Sequence, residues 1–462
     1  MRFLIRYHAR WVLPVSGPPI HDGTVAVDGG LVAWVGPRGE APPGEDRDLG
    51  DAALMPGLVN AHTHLELTVF RGVLEGLEFR DWILTLQRAK SEVMSRDFFL
   101  DSARLGLIEG LRAGVTTFAD TCDSGVSLQA MRELGARGVM YQELFGPDPA
   151  RADDSIAELR GKLERHRSVE GPLQRVGISP HAPYTVSDRL FRSAAALARA
   201  EDLPVAIHIA ESEAESQLIN GGSGPFADPL RQRGVEVIPR ARSPVALLGQ
   251  LGLLETRPLL IHCVRAGAED LAAIATSRSS IAHCPASNAR LAHGIAPLVE
   301  MLDAGIAVGL GSDSMASNNR MDMLGEARLA SLFQCARTGR ADAISAARAL
   351  GLATLGGARA LGMETRIGSL ELGKEADLAA FSLESLSGTD AADPEAALVL
   401  ALAGQPALMT MVAGREVVRD GRELPSADLE LSVRVRALAL SLAAWRERQG
   451  MISGKSGTKN GL

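Results

Sequence analysis

Two histidines separated by one residue are the first side chains in this sequence whose types and spacing suggest chemistry. His62 and His64 follow the apolar run Ala52–Val59, which predicts a β-strand that leads into them. Side chains alternate along a strand, so both imidazoles point to the same face. His208 and Asp313 stand far downstream, each at the end of another apolar run. Three imidazoles and a carboxylate could hold one divalent metal ion, Zn²⁺ or Fe²⁺, and leave a position for water.

The chemistry of such a site would be hydrolysis. A bound divalent cation lowers the pKa of its water from about 15.7 toward about 7, which produces hydroxide at neutral pH. Asp313 could both contact the metal and accept the proton of that water. Each residue also has an ordinary alternative, because histidines can be core or surface residues and an aspartate among glycines is more often a turn residue. Their positions at the ends of separate apolar runs favour the metal site.

Glu211 follows His208 by three residues, where the chain would turn over the mouth of the fold. A carboxyl at this place, if protonated, could give a proton to a ring nitrogen of a substrate and then to a leaving amine. The alternative is a solvated acid at the start of a helix, beside Glu213 and Glu215.

Two more histidines are candidates for the same centre. His262 stands near the end of the run Leu259–Cys263 and could hydrogen-bond the attacking hydroxide or polarise the substrate. His181, in the segment SPHAPY, is a candidate substrate contact, with a structural loop histidine as the alternative. No lysine stands between residues 175 and 183, so a carbamylated lysine that bridges two metals is not supported. One metal is therefore predicted.

Eight apolar runs must position these residues. They lie between residues 52 and 362 and alternate with helical stretches such as Ala103–Arg112 and Arg189–Ala200. This alternation predicts an α/β fold, a (β/α)8 TIM barrel over residues 56–362. Such barrels place their chemistry at the C-terminal ends of the strands. The predicted strands end at His64, Asp120, Glu143, His181, His208, Cys263, Cys284 and Asp313.

Both ends of the chain carry shorter β-patterns. Two β-rich runs within Thr24–Val35 are joined by Asp-Gly-Gly, which predicts a hairpin. Asp377–Phe381 and a second hairpin within Leu408–Arg419 repeat this pattern near the C-terminus. We expect residues 1–55 and 363–425 to form one small composite β-sandwich domain. A final helix is predicted within residues 426–450, over Ala427–Arg448, and the Gly/Ser/Lys-rich tail 451–462 is predicted to be disordered.

Composition narrows the class of protein. The 462 residues suffice for one large domain and a smaller one. A net charge of −8 without a basic stripe argues against nucleic acid as a partner. Four cysteines without a CxxC pair suggest reduced thiols. The first residues lack the apolar stretch of a signal peptide and no run is long enough to span a membrane, so a cytoplasmic location is expected.

The order of the motifs resembles the amidohydrolase superfamily, in its branch of metal-dependent deaminases and chlorohydrolases. The matching segments are PGLVNAHTHLELTVFRG, SPHAPYTVS, HIAESEAE, LLIHCV, HCPASNARLAHGIAP, GLGSDSMASNN and IGSLELGKEADLAAF. The resemblance implies a TIM barrel with a composite β-sandwich and frequent homodimers. It also implies metal ligands at His62, His64, His208 and Asp313, with Zn²⁺ the leading metal. Glu211 would be the proton shuttle, His262 would stand beside the hydroxide, Asp313 would share in proton transfer, and His181 would contact a nucleoside.

The reaction that the resemblance implies is hydrolytic deamination at C6 of an adenine-containing nucleoside. The long segment between Glu211 and His262, together with HTHLEL, is similar to aminofutalosine deaminases of menaquinone biosynthesis. Deaminases of methylthioadenosine and S-adenosylhomocysteine usually carry Trp-Pro-x-Glu after the first strand. The segment Trp82–Glu92 lacks it, and whether Glu92 substitutes for that acid stays open.

Other functions remain as alternatives. They are deamination of S-adenosylhomocysteine, methylthioadenosine or adenosine, a guanine-type reaction, hydrolytic dechlorination of an s-triazine, and non-catalytic metal binding. Chloride needs no proton to leave, whereas an amine does, so Glu211 and His262 favour a deaminase. His64-Leu65-Glu66 matches half of a cytidine-deaminase zinc motif, but the PCxxC half is absent and the role of Glu66 stays open.

Overall fold

The computed structural model describes residues 4–386, 393–423 and 429–450. Its strands, in chain order, are β1 (Ile5–Val12), β2 (Ile20–Asp28), β3 (Leu31–Pro37), β4 (Glu45–Asp48), β5 (Ala52–Pro56), β6 (Leu58–Thr63), β7 (Val115–Cys122), β8 (Arg137–Leu144), β9 (Gln174–Pro180), β10 (Ala206–Ile209), β11 (Leu259–His262), β12 (Ser280–His283), β13 (Val308–Leu310), β14 (Leu378–Ser382), β15 (Met409–Val412), β16 (Arg415–Arg419) and β17 (Arg422–Glu423).

Helices connect and cover these strands. They are α1 (Phe79–Val93), α2 (Arg96–Arg112), α3 (Val126–Leu134), α4 (Ala152–Arg167), α5 (Asp188–Glu201), α6 (Glu213–Gly221), α7 (Ala227–Gln232), α8 (Pro244–Gln250), α9 (Ala268–Ser277), α10 (Pro285–Arg290), α11 (Leu298–Asp303), α12 (Met323–Thr338), α13 (Ala346–Gly351), α14 (Gly357–Ala360), α15 (Pro394–Ala396) and α16 (Leu429–Arg448). A short 3₁₀-helix, Leu65–Phe70, follows β6 directly.

The eight predicted central strands are present as two parallel four-stranded sheets, β6-β7-β8-β9 and β10-β11-β12-β13. Single parallel bridges join the two sheets in two places. One pairs Ile178 with Val205, and the other pairs Thr63 with Asp313. Two strand ends differ from the prediction by more than one residue, because β7 runs on to Cys122 and β13 is confined to Val308–Leu310.

Strands from both ends of the chain form one nine-stranded sheet. Its order is β17-β16-β15-β14-β5-β1-β2-β3, with β4 paired to β1. The predicted N-terminal hairpin is confirmed, since Gly29 and Gly30 both take positive φ, 55° and 89°, between β2 and β3. All nine strands belong to this one sheet, so the two-layer sandwich stays a prediction.

The predicted strand Ala52–Val59 is wrong in one respect, because the run divides between two sheets at Gly57. β5 pairs with β1 and β14 in the terminal sheet, whereas β6 pairs with β7. A Cβ atom on Gly57 would lie 2.3 Å from the side chain of Thr116, so no larger residue fits at this crossing. The strand that leads into His62 is therefore the short β6.

Helix ends follow their capping residues. Ser95 accepts a hydrogen bond from Phe98 N at 3.2 Å, so α2 begins well before the predicted Ala103. The predicted final helix is present as α16, which buries Leu438, Leu442 and Trp445 against the α1–α2 region. The predicted tail 451–462 lies outside the described residues, as do residues 427 and 428. Within the described ranges, no helix combines the length and apolarity that a membrane crossing needs.

Candidate functional site

The carboxyl ends of the central strands open into one pocket. One of its walls is apolar and comes mainly from α1, and the opposite end carries histidines and acids. The lining residues are His64, Leu67, Phe79, Trp82, Ile83, Leu86, Gln87, Lys90, Glu143, Phe145, His181, Tyr184, Thr185, His208, Glu211, His262, Leu291, Asp313 and Ser314.

The four predicted metal ligands meet at the base of this pocket. His62 Nε2 lies 3.2 Å from Asp313 Oδ1, and His64 Nε2 lies 3.6 Å from the same oxygen. His64 Nε2 also lies 3.3 Å from His208 Nε2. These side chains come from the ends of three strands and are separated by up to 251 positions in the sequence. Donor atoms of His62, His64 and Asp313 lie within 4.8 Å of one another, and the donor atom of His208 lies within that distance of those of His62 and His262.

These donor atoms have the spacing that a metal requires. Ligand atoms about 2.0–2.2 Å from a tetrahedral zinc ion lie roughly 3.3–3.6 Å from one another. Burial lowers the pKa of His62 and His208, and lowers that of His64 to about 3, so all three imidazoles are neutral at pH 7. Neutral imidazole is the form that binds a metal. The residues present therefore fit one divalent ion.

Neighbouring groups orient two of these imidazoles. His208 Nδ1 lies 3.2 Å from the carbonyl oxygen of His181, to which it can donate, and this leaves Nε2 free for a metal. His64 Nδ1 lies 3.1 Å from Thr121 Oγ1. Each ring is thereby held with its Nε2 toward the shared centre.

Asp313 is held on both sides. Its Oδ2 accepts hydrogen bonds from Ser287 Oγ and, at 3.2 Å, from Ser317 Oγ, which leaves Oδ1 to face the histidines. Its backbone adopts a φ of 58°, and its N–H donates to His62 O at 2.9 Å. A non-glycine residue in this region costs free energy that the surrounding contacts must offset. The two serines lie within the HCPASN and DSMASNN segments, but no separate signal in these segments predicted their role.

Glu211 is buried, which rules out the solvated alternative. Its Oε1 lies 3.3 Å from His293 Nε2 and 3.6 Å from His262 Nε2. Burial alone would raise the pKa of Glu211, but the two imidazoles lower it below its usual value. The backbone is fixed by Glu215, whose carboxylate accepts from Ala210 N at 3.1 Å and Glu211 N at 2.9 Å. Glu211 can thus accept a proton before it gives one.

His262 points into the same centre. Its Nδ1 lies 2.9 Å from Asn288 Oδ1, and with Nδ1 donating this bond, Nε2 keeps a free lone pair. Its ligand nitrogen lies within 4.8 Å of those of His62 and His208. Asn288 and His293 are functional candidates that sequence reasoning missed. Both lie in the segment HCPASNARLAHGIAP, whose resemblance to the family singled out neither residue.

His181 lines the pocket beside His208, with ring centroids 4.8 Å apart. Its Nδ1 lies 2.8 Å from Thr185 Oγ1, so Nε2 is the nitrogen left for a ligand. Burial lowers the pKa of His181 to about 4, and the ring is neutral at pH 7. This placement suits the predicted substrate contact.

Glu143 is a pocket residue to which the sequence analysis assigned no function. It ends one of the predicted strands, and its side chain is only 5% exposed. Its Oε1 has no hydrogen-bond partner among the described residues. A carboxylate oxygen of Glu143 lies within 4.8 Å of the ligand nitrogens of His181 and His208.

The two acids with open roles have structural partners. Glu66 is buried beside the pocket, where Oε2 accepts from Ser124 N at 3.1 Å and Oε1 lies 3.4 Å from Lys90 Nζ. Glu92 Oε2 accepts from Trp445 Nε1 at 2.7 Å and so joins α1 to α16. Glu92 is not among the residues that line the pocket. All four cysteines are free, and Cys263 is packed in the apolar core.

Comparison with known proteins identifies the family. A sequence model described as the amidohydrolase family matches residues 53–417. The chain belongs to the amidohydrolase family. This amidohydrolase is a hydrolase of the group that acts on carbon–nitrogen bonds.

Three relatives of this amidohydrolase are informative. A 5-methylthioadenosine/S-adenosylhomocysteine deaminase of Moorella thermoacetica is 34% identical over 91% of this chain and 95% of its own. The crystal structure of an adenosine deaminase from Xanthomonas campestris with bound zinc is 30% identical, with a TM-score of 0.84 over 95% and 98% of the two chains. An atrazine chlorohydrolase from Arthrobacter aurescens TC1, solved with zinc, is 25% identical, with a TM-score of 0.79 over 94% and 100%.

Proposed function

We propose that this amidohydrolase removes the 6-amino group of an adenine nucleoside by hydrolysis and releases ammonia. The observation that carries the proposal is the placement of Glu211. Its carboxylate is buried between the imidazoles of His262 and His293 and lines the same pocket as the metal-binding cluster. A leaving amine must be protonated, and a buried carboxylate on the pocket wall can supply that proton.

The fold around the site and its metal ion are part of the proposed function. We infer that the two parallel sheets form one closed (β/α)8 barrel, which the bridges Ile178–Val205 and Thr63–Asp313 support. We also infer one Zn²⁺ held by His62, His64, His208 and Asp313. The zinc in the adenosine deaminase relative supports this choice, and the spacing of the donor atoms suits either Zn²⁺ or Fe²⁺.

When bound, such a cation lowers the pKa of water toward about 7 and supplies a hydroxide nucleophile. The protein must do the remaining work. Glu211 is ionised between its two imidazoles, so its carboxylate can accept a proton. It gives this proton to N1 of the purine ring and then transfers a proton in the same way to the departing amine. His262 accepts a hydrogen bond at Nε2, which Asn288 keeps free by holding Nδ1. Asp313 Oδ1 is a second proton acceptor beside the histidines.

The shape of the pocket suits a planar heterocycle. Phe79, Trp82, Leu86 and Leu291 form apolar walls against which a purine ring can pack. His181 lies across the pocket with Nε2 available to a ring nitrogen. The aromatic wall can stack on the purine ring, and the polar groups at the bottom of the pocket can react with one edge of that ring.

The identity of the nucleoside is a finer proposal. Aminofutalosine is our first candidate, because the long segment after Glu211 and the motif HTHLEL resemble its deaminases and the Trp-Pro-x-Glu stretch is missing. The Moorella relative makes methylthioadenosine and S-adenosylhomocysteine the second candidates. We infer that Glu92 does not substitute for the missing acid, since it bonds Trp445 and is not among the residues that line the pocket.

The test is a substrate panel with the zinc-loaded protein. Ammonia release is measured with aminofutalosine, S-adenosylhomocysteine, methylthioadenosine, adenosine and guanine, and chloride release is measured with a chloro-s-triazine. We expect release from at least one adenine nucleoside and a much slower reaction with the triazine. Turnover of the triazine alone would assign the chain to the chlorohydrolase class, and silence on every aminopurine would overturn the deaminase proposal.

A further inference from the structure

The pocket has a second polar region, separate from the Glu211 side of the metal cluster. Glu143 at the end of β8 and Lys90 of α1 both line it. Lys90 Nζ lies 3.4 Å from Glu66 Oε1 and 3.7 Å from Asp123 Oδ2, so its ion pairs are formed with these two carboxylates. Glu143 has no such partner at Oε1, although its side chain is 95% buried.

A buried carboxylate oxygen without a hydrogen-bond donor is costly, and natural proteins rarely leave one. The neighbouring side chains do not supply the donor. His181 Nδ1 is engaged by Thr185 Oγ1, and His208 presents Nε2 to the metal-binding cluster. Since Glu143 faces the pocket, the missing donor belongs to whatever fills the pocket.

An adenine nucleoside carries two kinds of donor, the 6-amino group and the sugar hydroxyls. In the proposed reaction the amino group lies beside Glu211, which contacts His262 and His293. Glu143 instead neighbours His181 and His208. With the amine at Glu211, the sugar hydroxyls are the donors of the nucleoside that remain for Glu143.

We propose that Glu143 determines substrate specificity by accepting a hydrogen bond from a ribose hydroxyl, 2′ or 3′. This inference rests on the proposed nucleoside deaminase function and assigns the sugar side of the substrate to β8. It follows that the enzyme distinguishes ribonucleosides from the matching deoxynucleoside.

The experiment pairs a change in the protein with a change in the substrate. The adenine nucleoside that the wild type deaminates fastest is compared with its 2′-deoxy and 3′-deoxy forms as a substrate of the zinc-loaded wild type, Glu143→Ala and Glu143→Gln. Burial raises the pKa of Glu143 well above its usual value, so the hydrogen bond is one between neutral groups, and we expect one missing hydroxyl to lower kcat/KM of the wild type by roughly 5- to 10-fold. In Glu143→Ala that discrimination should fall below about 3-fold, and Glu143→Gln should keep part of it.

Leu86→Ala is the matched control, because Leu86 lines the same pocket without a hydrogen-bonding group. It should slow all three nucleosides alike and keep the discrimination. Zinc content and thermal melting identify a misfolded variant, and Kd values of purine riboside and its 2′- and 3′-deoxy forms provide the same comparison without turnover. If the wild type is active and Glu143→Ala keeps the same discrimination between the ribonucleoside and its deoxy forms, the proposed role of Glu143 is wrong and the proposed function stands. A wild type that neither deaminates nor binds any nucleoside overturns the proposed function as well.

Discussion

Arg137 and Asp377 form a buried bidentate ion pair across 240 residues of sequence. Arg137 Nε donates to Asp377 Oδ2 at 2.8 Å, and Nη2 donates to Oδ1 at 2.9 Å. Both side chains are 1% exposed. Arg137 begins β8 and Asp377 immediately precedes β14, so this pair connects the sheet that carries Glu143 to the sheet formed by the chain ends.

Removing one partner of this pair should destabilise the fold strongly. In Asp377→Ala the guanidinium of Arg137 would remain buried with less compensation, and we expect a loss of about 3–5 kcal/mol in the free energy of unfolding. Urea denaturation of the zinc-loaded protein measures it. Asp153→Ala is the control, since its ion pair with Arg189 is exposed and should be worth less than about 1 kcal/mol. Equal losses in the two variants would show that the buried pair has no special role.

Glu211→Gln should separate catalysis from metal binding. Glutamine keeps the size of the side chain but cannot carry the proton, so kcat should fall by several orders of magnitude. Zinc content, measured by elemental analysis, should equal that of the wild type, because Glu211 is outside the predicted ligand set. Activity near the wild-type level would remove Glu211 from the mechanism.

His208→Ala should abolish stoichiometric metal binding. It removes one of four donors whose neighbours lie 3.2–3.6 Å apart, so the remaining three must hold the ion alone. Bound zinc after dialysis should drop well below one ion per chain, while the wild type retains one. His21→Ala is the matched control, because His21 packs on Trp11 in the terminal sheet. Full zinc occupancy in His208→Ala would contradict the proposed ligand set.

Asn288→Ala should slow the reaction without loss of the fold. The amide holds His262 Nδ1 at 2.9 Å, and its loss frees the ring to rotate and to change tautomer. Substitution of such an orienting partner usually costs 10–100-fold, so we expect kcat to fall by about that factor. Asn319→Ala should keep kcat, because Asn319 bonds Gly72 and Glu75 away from the pocket lining. A similar loss in both variants would argue against orientation of His262 as the cause.

Much of the fold could be predicted because its signals are local. The Gly29-Gly30 turn indicated a hairpin, and apolar runs ending in His, Asp, Glu or Cys marked the eight central strands. The division at Gly57 could not be predicted, because no change in hydrophobicity separates β5 from β6. Only the close approach of Thr116, a tertiary contact, shows why the chain changes sheets there.

Like the fold, the candidate site could be predicted only where the signal in the sequence was local. The predicted ligands come together because each stands at a strand end, a position that apolar patterning reveals. Glu143 also stands at a strand end, but nothing local distinguished its carboxylate from an ordinary acid. Asn288 lies in α10 and His293 in the loop that follows it, and their contacts with His262 and Glu211 arise from chain folding alone.

The position of β5 between β1 and β14 has a consequence for biosynthesis. During translation, the N-terminal strands emerge several hundred residues ahead of β14, so the edge of β5 stays open until nearly the whole polypeptide has left the ribosome. An open edge is a template for pairing with another nascent chain. A ribosome that stalls within the last quarter of the message would therefore release a product in which the edge of β5 is unprotected, next to the histidine-bearing strand β6. Cellular quality control would have to recognise this product.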